Sequence, residues 1–406
     1  MLNQWREIPP TAGLPLRWRD FIPVNEAVSF EARLAALLDV PEVQLECSGT
    51  AALVVALTTF KRASIRRSVT IPAYTCPLVA LAVLHCGLKP VLCDLRANSF
   101  DLSPHALEAA CTDDTLAIIP THLGGRVADL DPVMEIARRK GALVIEDAAQ
   151  SFGAAWRGDY AGTIGDAGFV SLAVGKGLTI YEGGVLFARD AGLRQAFRET
   201  SAALAPYRRS WEIRRSFELI AYAALYRPAG LRLAYGAPLR RALRKGNLIA
   251  AVGDDFSSVI PLHRVGAFRR GIGANAAMRL HSFLDTISDQ ATARKKALGA
   301  ISGLTVIDDA DGGHGTWPFL MVLMQTAKAC DMAMARLWAA GLGVSRLFIH
   351  ALPDYPYLAG QLGACDVPNA RDFASRMLTV SNSPWLRDAD FQRIVSVLES
   401  VPKGAA

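Results

Sequence analysis

Three short stretches of this chain hold polar residues in small, mostly uncharged settings where their chemistry would be unusual. In the first, Glu146-Asp147-Ala-Ala-Gln150-Ser151 follows an apolar run, Ala142 to Ile145, so Asp147 falls at the end of a candidate strand. A buried carboxylate there needs a donor or a cation. A cap or buried salt bridge would satisfy it, and so would a protonated pyridine nitrogen, which an ionised Asp would hold as an electron sink. The second stretch, Ser171-Leu-Ala-Val-Gly-Lys176, ends on a single lysine before Gly177 and the turn Tyr181-Glu-Gly-Gly184. A desolvated lysine has a lowered pKa and acts as a Schiff-base nucleophile, whereas a solvated one keeps its charge. The third, Cys47-Ser48-Gly49-Thr50, precedes the Ala/Leu/Val-rich run Ala51 to Phe60. Its backbone N–H groups and the Thr50 hydroxyl could meet an anion at a helix start, or Ser48 could serve as an ordinary N-cap.

Elements able to position these residues alternate from residue 69 to 187. Val69 to Ile71, Lys89 to Cys93, Ala117 to Pro120 and Ala142 to Glu146 read as strands, while Pro77 to His85, Ser103 to Ala110 and Asp131 to Lys140 read as helices. The last has an acidic start and a basic end, as the helix dipole favours. This is the βαβ pattern of a parallel sheet covered by helices, in which ligands sit at the carboxyl ends of strands. A smaller C-terminal domain follows, with an apolar run Trp317 to Met324, a helix from Ala327 to Ala340 and a closing helix Asp388 to Ser400. The expected division is an arm over 1–25, a large domain over 26–250 with a basic insertion at about 205–250, and linking helices plus the small α+β domain over 251–406.

Taken together, the helix-start Ser-Gly-Thr, the strand-end Asp with Gln three residues on, and the Ser-x4-Lys suit pyridoxal phosphate. With Ile71-Pro-Ala-Tyr-Thr75, Pro120-Thr-His-Leu-Gly-Gly125 and Gly165-Asp-Ala-Gly168 in the same order, the sequence resembles the DegT/StrS family of sugar aminotransferases. That resemblance implies a fold type I α/β enzyme with pyridoxal 5′-phosphate as cofactor. It implies that Lys176 binds the cofactor and shuttles a proton, with Asp147 on the pyridinium nitrogen and Gln150 on the ring's phenolic oxygen. Thr50, Gly49 and Ser171 would hold the phosphate. His122, Tyr181, Arg346 and His350 are further candidates for substrate contact. The resemblance also implies a homodimer, with glutamate as amino donor and a nucleotide-linked keto-sugar as acceptor in glycan or amino-sugar biosynthesis. Lys176 argues against the dehydrating branch of the family, which carries histidine there.

Two positions depart from the family pattern. Cys76 stands where an aromatic ring usually stacks on the cofactor, and the stretch Arg270 to Arg279 offers only Asn275 as the residue donated to a partner subunit's site. A cyclitol or other keto-substrate, or a degenerate site with a binding role, is the alternative reading.

The whole chain of 406 residues carries a net charge of +6, and ten basic residues lie between Tyr207 and Lys245 against Glu212 and Glu218. Ile213, Phe217, Ile220 and Ala224 recur there at helical spacing, so the segment reads as a basic amphipathic helix suited to an anionic membrane, or as a helix packed on a partner subunit or domain edge. No aromatic-interleaved basic motif points to nucleic acid. Seven cysteines without a C-x-x-C pair argue against a disulfide framework or zinc ribbon, so no metal is expected. The N-terminal stretch lacks an apolar h-region, and a cytoplasmic protein, at most peripheral to the inner membrane face, is the expectation.

Overall fold

The computed structural model describes residues 6–22, 28–363 and 365–402, so parts of the expected 1–25 arm lie outside the described residues. Seven strands form the main sheet: β1 (Val43–Glu46), β2 (Ser68–Pro72), β3 (Lys89–Cys93), β4 (Thr115–Ile118), β5 (Leu143–Asp147), β6 (Ala167–Ser171) and β7 (Gly184–Phe187). Their order is β1-β7-β6-β5-β4-β2-β3, parallel from β3 across to β6, with β7 antiparallel to both of its neighbours. The strands are apolar on both faces because helices cover both sides. Where the sequence pattern suggests a strand over 117–120, the ladder covers Thr115–Ile118, and Pro120 has no N–H to extend it.

The helices begin and end where their sequences dictate. Ser48 caps Gly49–Arg62 by accepting the Ala51 N–H at 3.0 Å, and Pro77 occupies the first turn of Pro77–His85, where a missing N–H costs nothing. Asp131–Lys140 stops at Gly141, whose φ of 62° closes a left-handed cap.

A second sheet of four antiparallel strands comprises β8 (Leu304–Val306), β9 (Phe319–Met324), β10 (Val344–Ser345) and β11 (Met377–Ser381), in the order β8-β9-β11-β10. Helices Ala327–Leu337 and Asp388–Glu399 pack beside it. Between the two sheets the chain runs through the basic segment, which folds into helices Arg209–Leu225, Ala237–Arg244 and Leu248–Val252 joined by shorter turns.

The helix Arg209–Leu225 leaves part of its apolar face outside the core. Glu212, Leu219, Tyr222 and Ala223 are buried, whereas Ile213 and Phe217 are 49% and 68% exposed. Glu212 turns inward because Arg269, fully buried, meets it through two contacts of 2.7 and 2.8 Å. A bidentate pair of this kind satisfies both ions where no water reaches them. Among the described residues no helix is long and apolar enough to cross a membrane.

Candidate active site

The carboxyl ends of β4, β5 and β6 open into one cleft of about 490 Å3, within the range for a small-molecule site. Gly49, Thr50, Cys76, Asp147, Gln150, Ser171 and Lys176 all line it. Asp147 is the last residue of β5 and Ser171 the last of β6, so the sheet itself fixes their backbones. Residues 120–122 lock in beside Asp147: its N–H donates to Pro120 O and its carbonyl accepts the His122 N–H, each at 2.9 Å.

The Asp147 side chain is buried, and its Oδ1 accepts the Ala149 N–H at 3.0 Å. Burial pushes its pKa up, against the backbone hydrogen bond and the charges of Lys176 and His122. Lys176 makes no side-chain hydrogen bond or ion pair among the described residues, and burial pulls its pKa down. Each group leans toward its neutral form in the same dry cleft. The amine is thus available as a nucleophile, and the carboxyl gains most from a cationic partner entering the site.

Gln150 is oriented by its own carbonyl, since Oε1 accepts the Gly124 N–H at 3.2 Å and leaves the amide N–H groups to donate. Ser48, Gly49 and Thr50 start a 14-residue helix whose N-terminus faces the cleft. Space there is tight on the chain side: a Cβ at Gly184 would lie 2.2 Å from Ser48 O, and one at Gly49 would lie 3.3 Å from the Ser171 Cβ. Glycine at both positions lets β7 and the helix start close on one another, so the helix-start N–H groups form a small cradle suited to a phosphate.

The loop bearing Lys176 is clamped from several sides. Leu14 N–H donates to Gly177 O at 2.9 Å, Arg269 donates to the carbonyls of Ile180 and Glu182, and Arg215 pairs with the Glu182 carboxylate. Tyr181 sits in this turn at a φ of 73°, a left-handed conformation that non-glycine residues seldom adopt.

Several residues singled out from the sequence lie outside the cleft. His122 is sealed, with Nε2 2.9 Å from Glu146 Oε2 and Nδ1 accepting the Ala128 N–H at 3.0 Å, so both ring nitrogens are used internally. Arg346 donates to the carbonyls of Ala374, Ser375 and Met377, tying β10 to the small domain's last helix-to-strand turn. His350 packs edge-on against Tyr355 at 5.4 Å, and Tyr181 lies under the Arg215 guanidinium at 5.7 Å. Asn275 is also committed within its own chain, donating to Asp20 O and Ile22 O at 2.9 and 3.0 Å.

The opposite wall of the cleft comes from segments that the sequence did not mark: Val252, Gly253, Asp254 and Phe256 after the basic segment, and Pro318, Phe319, Leu347 and Phe348 from the small domain. Nothing in the local pattern around Asp254 distinguishes it from a loop aspartate. Cys76 is at the cleft, and burial pushes its thiol up to about 12.

A model of the DegT/DnrJ/EryC1/StrS aminotransferase family matches residues 19–210. The chain is also 35% identical over 337 residues to GDP-perosamine synthase of Caulobacter vibrioides, a match spanning 82% of this chain and 78% of that protein. The chain belongs to the DegT/DnrJ/EryC1/StrS aminotransferase family. Over 193 residues it is 36% identical to the UDP-N-acetyl-3-dehydro-alpha-D-glucosamine 3-aminotransferase of Acidithiobacillus ferrooxidans, covering 47% of this chain and 52% of that one. In fold it resembles the crystal structure of DesI determined in the presence of its TDP-sugar product, with a TM-score of 0.72 at 20% identity over 98% of this chain and 93% of that one. The architecture is that of fold type I aminotransferases, and the cofactor of this DegT/DnrJ/EryC1/StrS member is pyridoxal 5′-phosphate. The residues present fit that group: an amine without a side-chain hydrogen bond, a buried carboxyl in no ion pair among the described residues, and a glycine-walled helix start share one cleft.

Proposed function

We propose that this aminotransferase moves an amino group from glutamate to a nucleotide-linked keto-sugar, in amino-sugar or glycan biosynthesis. The observation that carries the reading is the meeting of Lys176 and Asp147, both shifted toward neutrality by burial, in a cleft begun by the Ser48–Thr50 helix start. The relatives named above for nucleotide-sugar products and substrates support the acceptor class. Bound pyridoxal phosphate supplies an electron sink for the carbon that loses or gains its proton.

In this reading the Lys176 amine would hold the cofactor and would also be the group that takes up and returns the proton at the substrate carbon. Burial lowers its pKa, which favours the neutral amine that both tasks need. Asp147 holds a protonated ring nitrogen, and that cation would return the carboxyl to its ionised form. Gln150 donates through its free amide N–H to the phenolic oxygen. Gly49 and Thr50, with Ser171, take the phosphate at the helix start, where N–H groups and the helix dipole favour an anion. Cys76 gives the ring a small, unionised neighbour where family members place an aromatic side chain.

A homodimer accords with an apolar patch on one face: Trp18, Ile22 and Phe268 are 58%, 59% and 45% exposed, and Phe21 bridges Trp18 and Phe268 through ring contacts of 5.7 and 6.4 Å. A second reading concerns the basic segment. Phe217 and Leu233, 68% and 66% exposed, share it with exposed Arg208, Arg209, Arg214, Arg241, Arg244 and Lys245, a combination suited to the anionic inner face of a membrane. Flotation with anionic vesicles at low and high salt tests it, and the absence of salt-sensitive capture would remove it.

The function itself is tested by giving the loaded protein glutamate and a panel of nucleotide-linked keto-sugars. Formation of a nucleotide-linked amino-sugar by mass spectrometry is the expected result. Conversion of the cofactor by glutamate with no product from any keto-sugar would refute the acceptor class and leave the aminotransferase chemistry standing.

A further inference from the structure

Asp254 faces the cleft from the wall that the main sheet does not build. It follows Gly253, whose φ of 87° ends the helix Leu248–Val252, and it is 3% exposed. Its Oδ2 accepts the Ile349 N–H at 3.1 Å and the Tyr355 hydroxyl at 2.5 Å, and its own carbonyl accepts the Tyr357 hydroxyl at 2.5 Å. Three donors from one segment, residues 349–357, thus hold this aspartate in place. Its Oδ1 has no donor among the described residues, and Asp254 lines the cleft. No Lys, Arg or His among the described residues forms an ion pair with this carboxylate, and burial pushes its pKa up to about 6. An ionised group fixed by hydroxyl and amide donors, with one free oxygen and no counter-charge, awaits hydrogen-bond donors from elsewhere.

We infer that Asp254 is a specificity-determining residue that accepts a hydrogen bond from a ring hydroxyl of the keto-sugar acceptor, an inference that rests on the acceptor class proposed above. A polyhydroxylated ring brings several hydrogen-bond donors that suit an acceptor-only carboxylate, whereas glutamate brings one donor group, its ammonium, beside two carboxylates. Phe256, Leu347 and Phe348 line the cleft nearby and give the ring's C–H faces an apolar bed, so the wall pairs one polar anchor with hydrophobic surface in the manner of a small-ligand site. The consequence is selection for keto-sugars that retain their hydroxyls over deoxygenated analogues.

The test uses the loaded full-length enzyme, the D254A and D254N variants, and the keto-sugar nucleotide that the wild type turns over best. The two half-reactions are followed separately, the first by the cofactor's absorbance change with glutamate and the second by amino-sugar formation. D254A should raise the KM for the keto-sugar on the order of 10- to 100-fold, the range expected for losing a hydrogen bond to a charged group. D254N should raise it less, and kcat and the glutamate half-reaction should stay near wild type. Calorimetric titration with the amino-sugar nucleotide product should show weaker binding in both variants, more so in D254A, while the parent nucleoside diphosphate binds all three proteins equally. Y355F, which removes one anchor and leaves the carboxylate, should shift the keto-sugar KM in the same direction by a smaller factor. Unchanged keto-sugar KM and product affinity in D254A would overturn the inference while the proposed function stands. A wild type that aminates no keto-sugar would take down both.

Discussion

One wall of the cleft is the carboxyl edge of a sheet, and the wall facing it is assembled from loops of distant segments, with different ways of holding their side chains. Asp147 and Ser171 end β5 and β6, so ladder hydrogen bonds set their positions to within the precision of the sheet. Asp254 is held by side-chain contacts with Tyr355 and Tyr357 and by one backbone N–H, none within ninety residues of it in sequence. The sheet wall suits chemistry that must not vary, the handling of the cofactor. The loop wall suits recognition, because contacts made by loops change without disturbing the scaffold beneath them.

If this division holds, substitutions on the sheet wall should impair both half-reactions, and those on the loop wall only the acceptor's. The largest effect is expected from K176A. Loss of the amine proposed to attach the cofactor and move the proton should lower turnover on the order of 10²–10⁴-fold or more, measured in single-turnover reactions with each substrate. Impairment of only one half-reaction would break the comparison.

D147N comes next, with a loss on the order of 10²–10³-fold, because a neutral amide cannot hold the ring nitrogen in its protonated form. The apoprotein should move in the opposite direction. Burial raises the Asp147 pKa above its unfolded value, so its contribution to stability is fully present below the unfolded pKa and is lost as pH rises through the folded pKa. At pH 7 apo D147N should therefore melt about 1 °C above the wild type for each kcal/mol regained, and the gap should close in acid. Calorimetric scans at pH 7 and pH 4 check this, and a D147N apoprotein less stable at pH 7 would refute it.

S48A removes the cap of the phosphate-facing helix. It should cost about 1 kcal/mol of stability and weaken cofactor binding modestly, read by thermal melting and by cofactor titration. Equal cofactor affinity would show that the cap serves folding alone. The smallest expected signal concerns Cys76. With its thiol pushed up to about 12, it should alkylate at pH 8 far more slowly than an exposed cysteine does, as peptide mapping after iodoacetamide would show. Rapid modification would mean that a protonated Lys176 holds the thiolate.

Much of the sheet wall was legible in the chain because each functional residue directly follows an apolar run, and the end of a run is the end of a strand. The lysine loop was legible by its glycines and its lack of other charge. The periodicity of 213–224 indicated a helix, but spacing alone does not show that Glu212 turns inward to a buried arginine 57 residues away. His122 and Arg346 show the same limit. Each has the chemistry for substrate contact, and each spends its donors or acceptors on the protein's own backbone and carboxylates.

The parallel α/β scaffold, its caps and turns, and the residues proposed for cofactor chemistry can be read from the chain, because they depend on contacts near in sequence or on apolar periodicity. Tertiary structure alone decided that Asp254 reaches the cleft, that Asn275 is tied to the backbone near residue 20, and that Phe217 faces outward. These outcomes depend on which distant segment supplies the partner for a buried polar group, and the cost of leaving such a group unpaired is settled only when the whole chain has packed.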